Sequence, residues 1–177
     1  MVSQVGIWEQ VIQYCRYRNT DTAETKEVEV SAKIRFDEIS TVDMYLDDDL
    51  MLVPGRTSIV TIDGLQYDVN RSMKDMIRFA NGNEDILSGK PAVENPVRLK
   101  QFKGIRTVGD DETGYRNVTS PILMSLDDIT AIRDYICPFE CVALPDKCSV
   151  LKNNTFIIDL DHPSSDIYHH LNGGSLS

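Results

Sequence analysis

Residues 57–81 read TSIVTIDGLQYDVNRSMKDMIRFAN. An Asp-Gly pair between two runs of apolar residues signals a tight hairpin, because glycine carries a positive φ without a Cβ clash. With Asp63-Gly64 at a two-residue turn, Ile62 faces Leu65, Val60 faces Tyr67 and Ser58 faces Val69. Val60, Ile62, Leu65, Tyr67 and Val69 then share one face, and Ile59, Thr61, Gln66 and Asp68 share the other. Ser72 is placed to cap a helix, with Asp75 at the reciprocal position. Met73, Met76, Ile77 and Ala80 make one apolar stripe, and Asn81-Gly82 is a suitable stop.

Outward from this module the pattern is mostly that of strands. Residues 27–37 alternate Val28, Val30, Ala32, Ile34 and Phe36 with Glu29, Ser31, Lys33 and Arg35, as in a half-buried strand. Met44, Leu46, Leu50, Leu52 and Val53 supply a second short strand, ended by Pro54-Gly55. At the N-terminus Ile7, Trp8, Val11, Ile12 and Cys15 fit a helical stripe, although residues 11–17 are also rich in strand formers; the stripe favours a helix. Residues 82–114 are punctuated by glycine and proline and read as an extended loop or arm, with short strands at 97–102 and 104–108. Ser125 to Ile136 reads as a second helix, capped by Ser125, with Asp127 and Asp128 at its positive end and Ile129, Ile132 and Ile136 on one face. Residues 139–144, 148–152 and 155–160 form a C-terminal meander with turns at Pro145-Asp146-Lys147 and Asn153-Asn154. No internal repeat is read. The expectation is an α+β, mainly β fold: antiparallel sheets, a β-hairpin followed by a helix, two or three short helices and the meander. Residues 1–161 make one globular domain, and residues 162–177 a polar tail.

Composition narrows the function. The 177 residues carry a formal net charge of −10, and the sequence pI is about 4.7. Such a surface disfavours nonspecific contact with nucleic acid or anionic membrane, since phosphate binding needs basic groups. No apolar run reaches the roughly 20 residues of a membrane helix. No basic region precedes an apolar stretch at the N-terminus, so intracellular synthesis and reduced cysteines are expected.

Three clusters have residue types that do chemistry. Cys137, Cys141 and Cys148, with His162, His169 and His170 downstream, are the candidate zinc ligands, but their spacing is not that of a zinc knuckle and the pattern favours buried thiols. The same residues would have to supply any cysteine–histidine nucleophile pair. Asp47-Asp48-Asp49 with Asp43 lacks the alternation of a calcium loop and reads as a solvated turn. Asp110-Asp111-Glu112, among glycines, reads the same way. No cofactor motif and no catalytic residue is identified.

The hairpin at Asp63-Gly64 with Tyr67, the helix from Ser72 through Met76 and Ile77, and the later run Asn117, Pro121-Ile122-Leu123-Met124-Ser125-Leu126-Asp127-Asp128 resemble small domains of tail-, baseplate- and fibre-associated proteins of tailed bacteriophages. The resemblance covers about half of the chain. It implies a non-enzymatic virion structural component of tail, neck, baseplate or capsid periphery, acting through contacts with copies of itself and other virion proteins. No functional residue is carried over from it. The contact regions expected are Asp47 to Asp49, residues 82–114 and the tail from His162. The alternatives are a small zinc-stabilised adaptor or regulatory module and a cysteine-dependent enzyme.

Overall fold

Strands and two short helices succeed one another in the computed structural model, which describes residues 8–80 and 99–172. Strands β1 (Trp8–Arg18) and β2 (Thr25–Arg35) form a long hairpin. A 3₁₀ turn at Phe36–Glu38 leads to β3 (Ile39–Leu46), β4 (Leu52–Thr61), β5 (Gln66–Val69) and helix α1 (Met73–Ala80). Then follow β6 (Leu99–Asp110), β7 (Gly114–Ser125), β8 (Ile129–Cys137), β9 (Val142–Lys152), β10 (Ile157–Leu160) and helix α2 (Ser164–Leu171). All pairings are antiparallel, in one sheet of order β2-β1-β5-β4-β3-β7-β6-β10-β9-β8. The mainly β, antiparallel class is thus as expected.

The order contains a duplication. The first unit, β1 to α1, has strand order second-first-fifth-fourth-third followed by its helix, and the second unit, β6 to α2, repeats it. Residue numbers in the two units differ by 91, or by 90 in β2 and β3. Thus α1 (73–80) matches α2 (164–171), and the buried residues Val11, Ile59, Val69 and Met76 match Phe102, Val150, Leu160 and Ile167. Backbone details repeat too. Asn70 N–H donates to Ile12 O and Asp161 N–H to Lys103 O, at 3.0 and 2.9 Å. Leu50 and Cys141 have φ of 55° and 54°. Ser58 donates to Asp68, and Ser149 to Asp159 at 2.6 Å. The repeat escapes sequence reading because most matched positions keep only their polarity: Phe102 stands for Val11, Ile167 for Met76 and Thr155 for Gly64.

Each helix packs on its own unit. Met73 and Met76 of α1 join Val11, Ile34, Val42, Ile59 and Val69, while Ile167 of α2 joins Phe102, Cys148, Val150 and Leu160. On β7 the alternation divides between them: Leu123 belongs to the first cluster, Ile122 and Met124 to the second. Successive strand residues point to opposite faces, so the two helices lie on opposite sides of the sheet. The start of β3, Ile39–Val42, and the end of β7, Ile122–Ser125, at the centre of the sheet, are buried on both faces, which explains the apolar run Ile122-Leu123-Met124.

Several expectations are corrected. The hairpin at 57–69 pairs Ile59 with Tyr67 and Thr57 with Val69, one residue away from the two-residue-turn register. Gly64 N–H donates to Thr61 O and Thr61 N–H to Leu65 O, giving a three-residue loop with Gly64 left-handed. Ile62 and Leu65 are therefore exposed, and Ile59 rather than Val60 joins the cluster of Val69 under α1, Val60 being buried on the other face. The helix that follows is as read: Ser72 Oγ accepts from Asp75 N–H at 3.1 Å, and Met73 and Met76 are buried. Its stop at Asn81-Gly82 lies outside the described residues.

Residues 8–18 are strand rather than helix, since their β-branched and aromatic side chains fit a long ladder with β2. Pro54-Gly55 and Pro145 interrupt nothing: β4 and β9 run through them beside shifts in register, where the missing N–H is tolerated. The segment 125–136 is the end of β7, a turn and β8, not a helix. Register shifts between Ile129 and Ala131 and between Asp134 and Tyr135 bring Ile129, Ile132 and Tyr135 inward, a spacing of three that imitates a helical stripe. Of the supposed arm at 82–114, residues 99–110 are β6, paired along its length with β7, and 82–98 lie outside the described residues. The supposed tail from His162 carries α2, held by Ile167 in the core.

Candidate interaction surfaces

All three chemical clusters have members at hairpin turns of the duplicated unit. Asp47–Asp49 and Cys137–Cys141 occupy the same turn, between the third and fourth strands of each unit. Asp47 accepts from the N–H groups of Asp49 and Met51 at 3.0 and 2.9 Å, and Asp48 pairs with Arg16 at 2.7 Å. At the matching site Cys141 N–H donates to Cys137 O at 2.8 Å. Asp110 accepts from the N–H groups of Glu112 and Thr113, as Asn19 does from Asp21 and Thr22 in the first unit. These carboxylates organise turns, the ordinary use of Asp and Asn at such positions.

Cys148 is separate from the other thiols. It lies in mid-strand on β9, buried against α2, and burial pushes its thiol up to about 12. Burial thus keeps this thiol protonated at neutral pH, in contrast to the more accessible Cys137 and Cys141. Cys141 is exposed and Cys137 half-buried. Among the described residues no group of three or more His, Cys, Asp or Glu side chains is placed to hold a metal ion. His162 Nε2 accepts from Lys103 N–H at 3.1 Å, and both His162 and His170 lie edge-on to Phe102. Burial lowers the pKa of His170. The histidines thus fasten α2 to β6.

The junction between the units is the most elaborated polar region. Strands β3 and β7 pair over Thr41–Met124 and Val42–Leu123. Asp43 of the first unit lies 2.8 Å from Arg106 of the second, and Arg106 also donates to Met44 O at 3.1 Å. Burial raises the Asp43 carboxyl above its ordinary value, against the opposing pull of Arg106. Ser40 donates to Asp128 at 2.7 Å, Asp128 is the ion-pair partner of the fully buried Lys152, and Lys152 also donates to Ser125 O. Desolvation lowers the Lys152 pKa, opposed by Asp128. The Asn154 amide closes the junction at the far turn by donating to Thr61 O at 2.9 Å. A cleft of about 410 Å³ opens between the units, lined by Asp43, Ser58, Arg106 and Asp159 among others. Asp43 and Asp159 are already engaged by Arg106 and Ser149. The cleft therefore joins two units rather than presenting a free acid–base pair.

The sheet ends at β2 and β8, and among the described residues no strand pairs with the outer side of either. Strand β2 is eleven residues long and pairs with β1 along its whole length without a register shift, so its outer edge is a regular row of backbone groups. Arg56 stiffens this end. It stacks on Tyr14 and Tyr45, 3.6 and 4.1 Å from the ring centres, and forms two hydrogen bonds to Glu27, both of 3.1 Å. Sequence reading misses Arg56, Arg106 and the Lys152–Asp128 pair. What the sequence does carry is a trace of the duplication, a recurrence at a spacing of 91: Pro54 with Pro145, Ser58 with Ser149, Asp68 with Asp159.

No protein-family model, curated protein or solved structure matches the chain. Among the described residues no helix is long and apolar enough to cross a membrane.

Proposed function

We propose that the protein is a non-enzymatic structural subunit of a virion-type assembly, acting through protein–protein contacts. The observation that supports this reading is the pair of outer strands, each without a partner on its outer side among the described residues, on a sheet already built by joining two like units edge to edge. Exposed edges of this kind add further strands readily. The virion setting rests on the resemblance of the hairpin and its helix, a module that occurs twice in the fold, at β4-β5-α1 and β9-β10-α2. The clusters that would support a zinc module or a thiol enzyme are taken up by turns and core.

The test is the native mass of the purified chain and its stoichiometry in the particle of its source. A defined oligomer, or incorporation at a fixed copy number, is expected. A compact monomer at every concentration that binds no particle protein overturns the reading.

A further inference from the structure

We infer that copies of this chain join head to tail, with β8 of one copy pairing antiparallel with β2 of the next and repeating between chains the β3–β7 junction within the chain. The inference rests on the assembly reading and names its partner, a second copy. In each unit the outermost strands are the second and the third. Within the chain, the third strand of unit one (β3) pairs with the second of unit two (β7). The strands left over are the second of unit one (β2) and the third of unit two (β8). They are the same two kinds of edge, one at each end of the molecule.

The geometry of the repeat favours continuation. Five antiparallel strands per unit reverse the strand direction from one unit to the next, and the helices alternate between faces. Unit two is thus related to unit one by a half-turn about the axis running across the sheet, together with a step along it. Such an operation is heterologous: it leaves one edge of each kind free however often it is repeated.

The internal junction also fixes the register. Thr41 corresponds to Ala131 and Val42 to Ile132; Met124 corresponds to Ile34 and Leu123 to Lys33. Transferring Thr41–Met124 and Val42–Leu123 places Ala131 opposite Ile34 and Ile132 opposite Lys33 of the next copy. Asp134 then falls opposite Ser31 on the same face, with Lys33 on one diagonal and Glu29 on the other, so the register rests on the transferred junction rather than on charge.

Disulfide trapping tests this register in the full chain, with Cys15, Cys137 and Cys141 replaced by serine and the buried Cys148 kept. Lys33→Cys and Ile132→Cys are made in separate, differently tagged chains. Neither is expected to cross-link with itself, whereas the mixture gives a covalent dimer, and a chain carrying both gives a ladder of multimers or a closed ring. Because Ile132 is half-buried, Ser31→Cys with Asp134→Cys, both exposed, provides a second pair in the same register. Self-cross-linking of either single variant, or an oligomer of defined mass that neither mixed pair traps, overturns the head-to-tail edge while leaving the assembly reading standing. A monomer at all concentrations that also binds no particle protein overturns both.

Discussion

Gly64 and Thr155 occupy the same turn position in the two units, with φ of +86° and +72°. Each donates its N–H three residues back, to Thr61 O and Lys152 O, both at 3.0 Å. Glycine adopts this left-handed conformation without strain, whereas a β-branched residue is a genuine outlier there. Thr155→Gly is therefore expected to raise stability by roughly 0.5–1 kcal/mol, after the extra chain entropy of glycine is subtracted. Gly64→Ala is expected to lower it by about 1 kcal/mol. An added Cβ there meets Asn154 at 3.6 Å, an ordinary contact, so the cost is conformational. Urea midpoints at unchanged slope measure both effects.

How much of this was legible depended on whether one residue carried the signal. Ser72 announced the start of α1 because capping is local chemistry, and the alternation from Val28 to Ile34 announced β2 because its outer face stays wet. Asp63-Gly64 locates the hairpin but not its register, since it fits a two-residue turn as well as a three-residue turn, and the choice is made by burial of Ile59 and Val69. Ile129, Ile132 and Ile136 suggest a helix because bulges turn Ile129, Ile132 and Tyr135 to one face of β8, a spacing of three close to a helical one, while Ile136 is exposed. Arg106 and Asp43 are 63 positions apart, and only the joining of β3 to β7 brings them together. The duplication was hidden because matched core positions conserve burial rather than identity.

Arg56→Lys separates stacking from charge. Lysine keeps the positive charge beside Glu27 but lacks the flat guanidinium that lies on Tyr14 and Tyr45 and grips the carboxylate with two bonds. The expected loss is about 1 kcal/mol, most of it from the aromatic contacts, because the ion pair is partly exposed. Lys147, at the matching position, instead contacts Asp146 and Asp161 at 3.0 and 3.3 Å. Lys147→Arg is therefore expected to be nearly neutral. Thermal denaturation of the two variants side by side gives the comparison, and equal effects would refute it.

Asp43 imposes a pH dependence. Its carboxyl is raised because burial outweighs the attraction of Arg106. The folded protein thus binds this proton more tightly than the unfolded chain does. The resulting stabilisation is complete below the ordinary carboxylate value of about 4 and is lost as pH rises through the raised value. Asp43→Asn removes this titration. Stability of the variant minus that of the wild type should rise with pH across the window and level off above it. A flat or falling difference in denaturant midpoints would show that the ion pair, rather than burial, dominates.

The two most different thiols, Cys141 and Cys148, give a direct readout of the core around α2. Cys141 is exposed at a turn, and Cys148 is wholly buried with its thiol pushed up to about 12. A disulfide reagent at mildly alkaline pH should modify Cys141 in the native protein and reach Cys148 only when the second unit opens. The rate at Cys148 then reports that opening. Cys148→Ser should lower stability by about 1–3 kcal/mol, since it leaves a hydroxyl among Phe102, Val150 and Leu160. Cys148→Val, which keeps the site apolar, should cost less. Thr57, the matching residue, already has a buried Oγ1 with no partner among the described residues, so the first unit bears the same penalty in the native chain. Thr57→Val is accordingly expected to stabilise the protein by about 1 kcal/mol, the reverse of the serine substitution at Cys148. If both changes lowered stability equally, the two positions would not be equivalent, and the repeat would not extend to the side chains of the fourth strand.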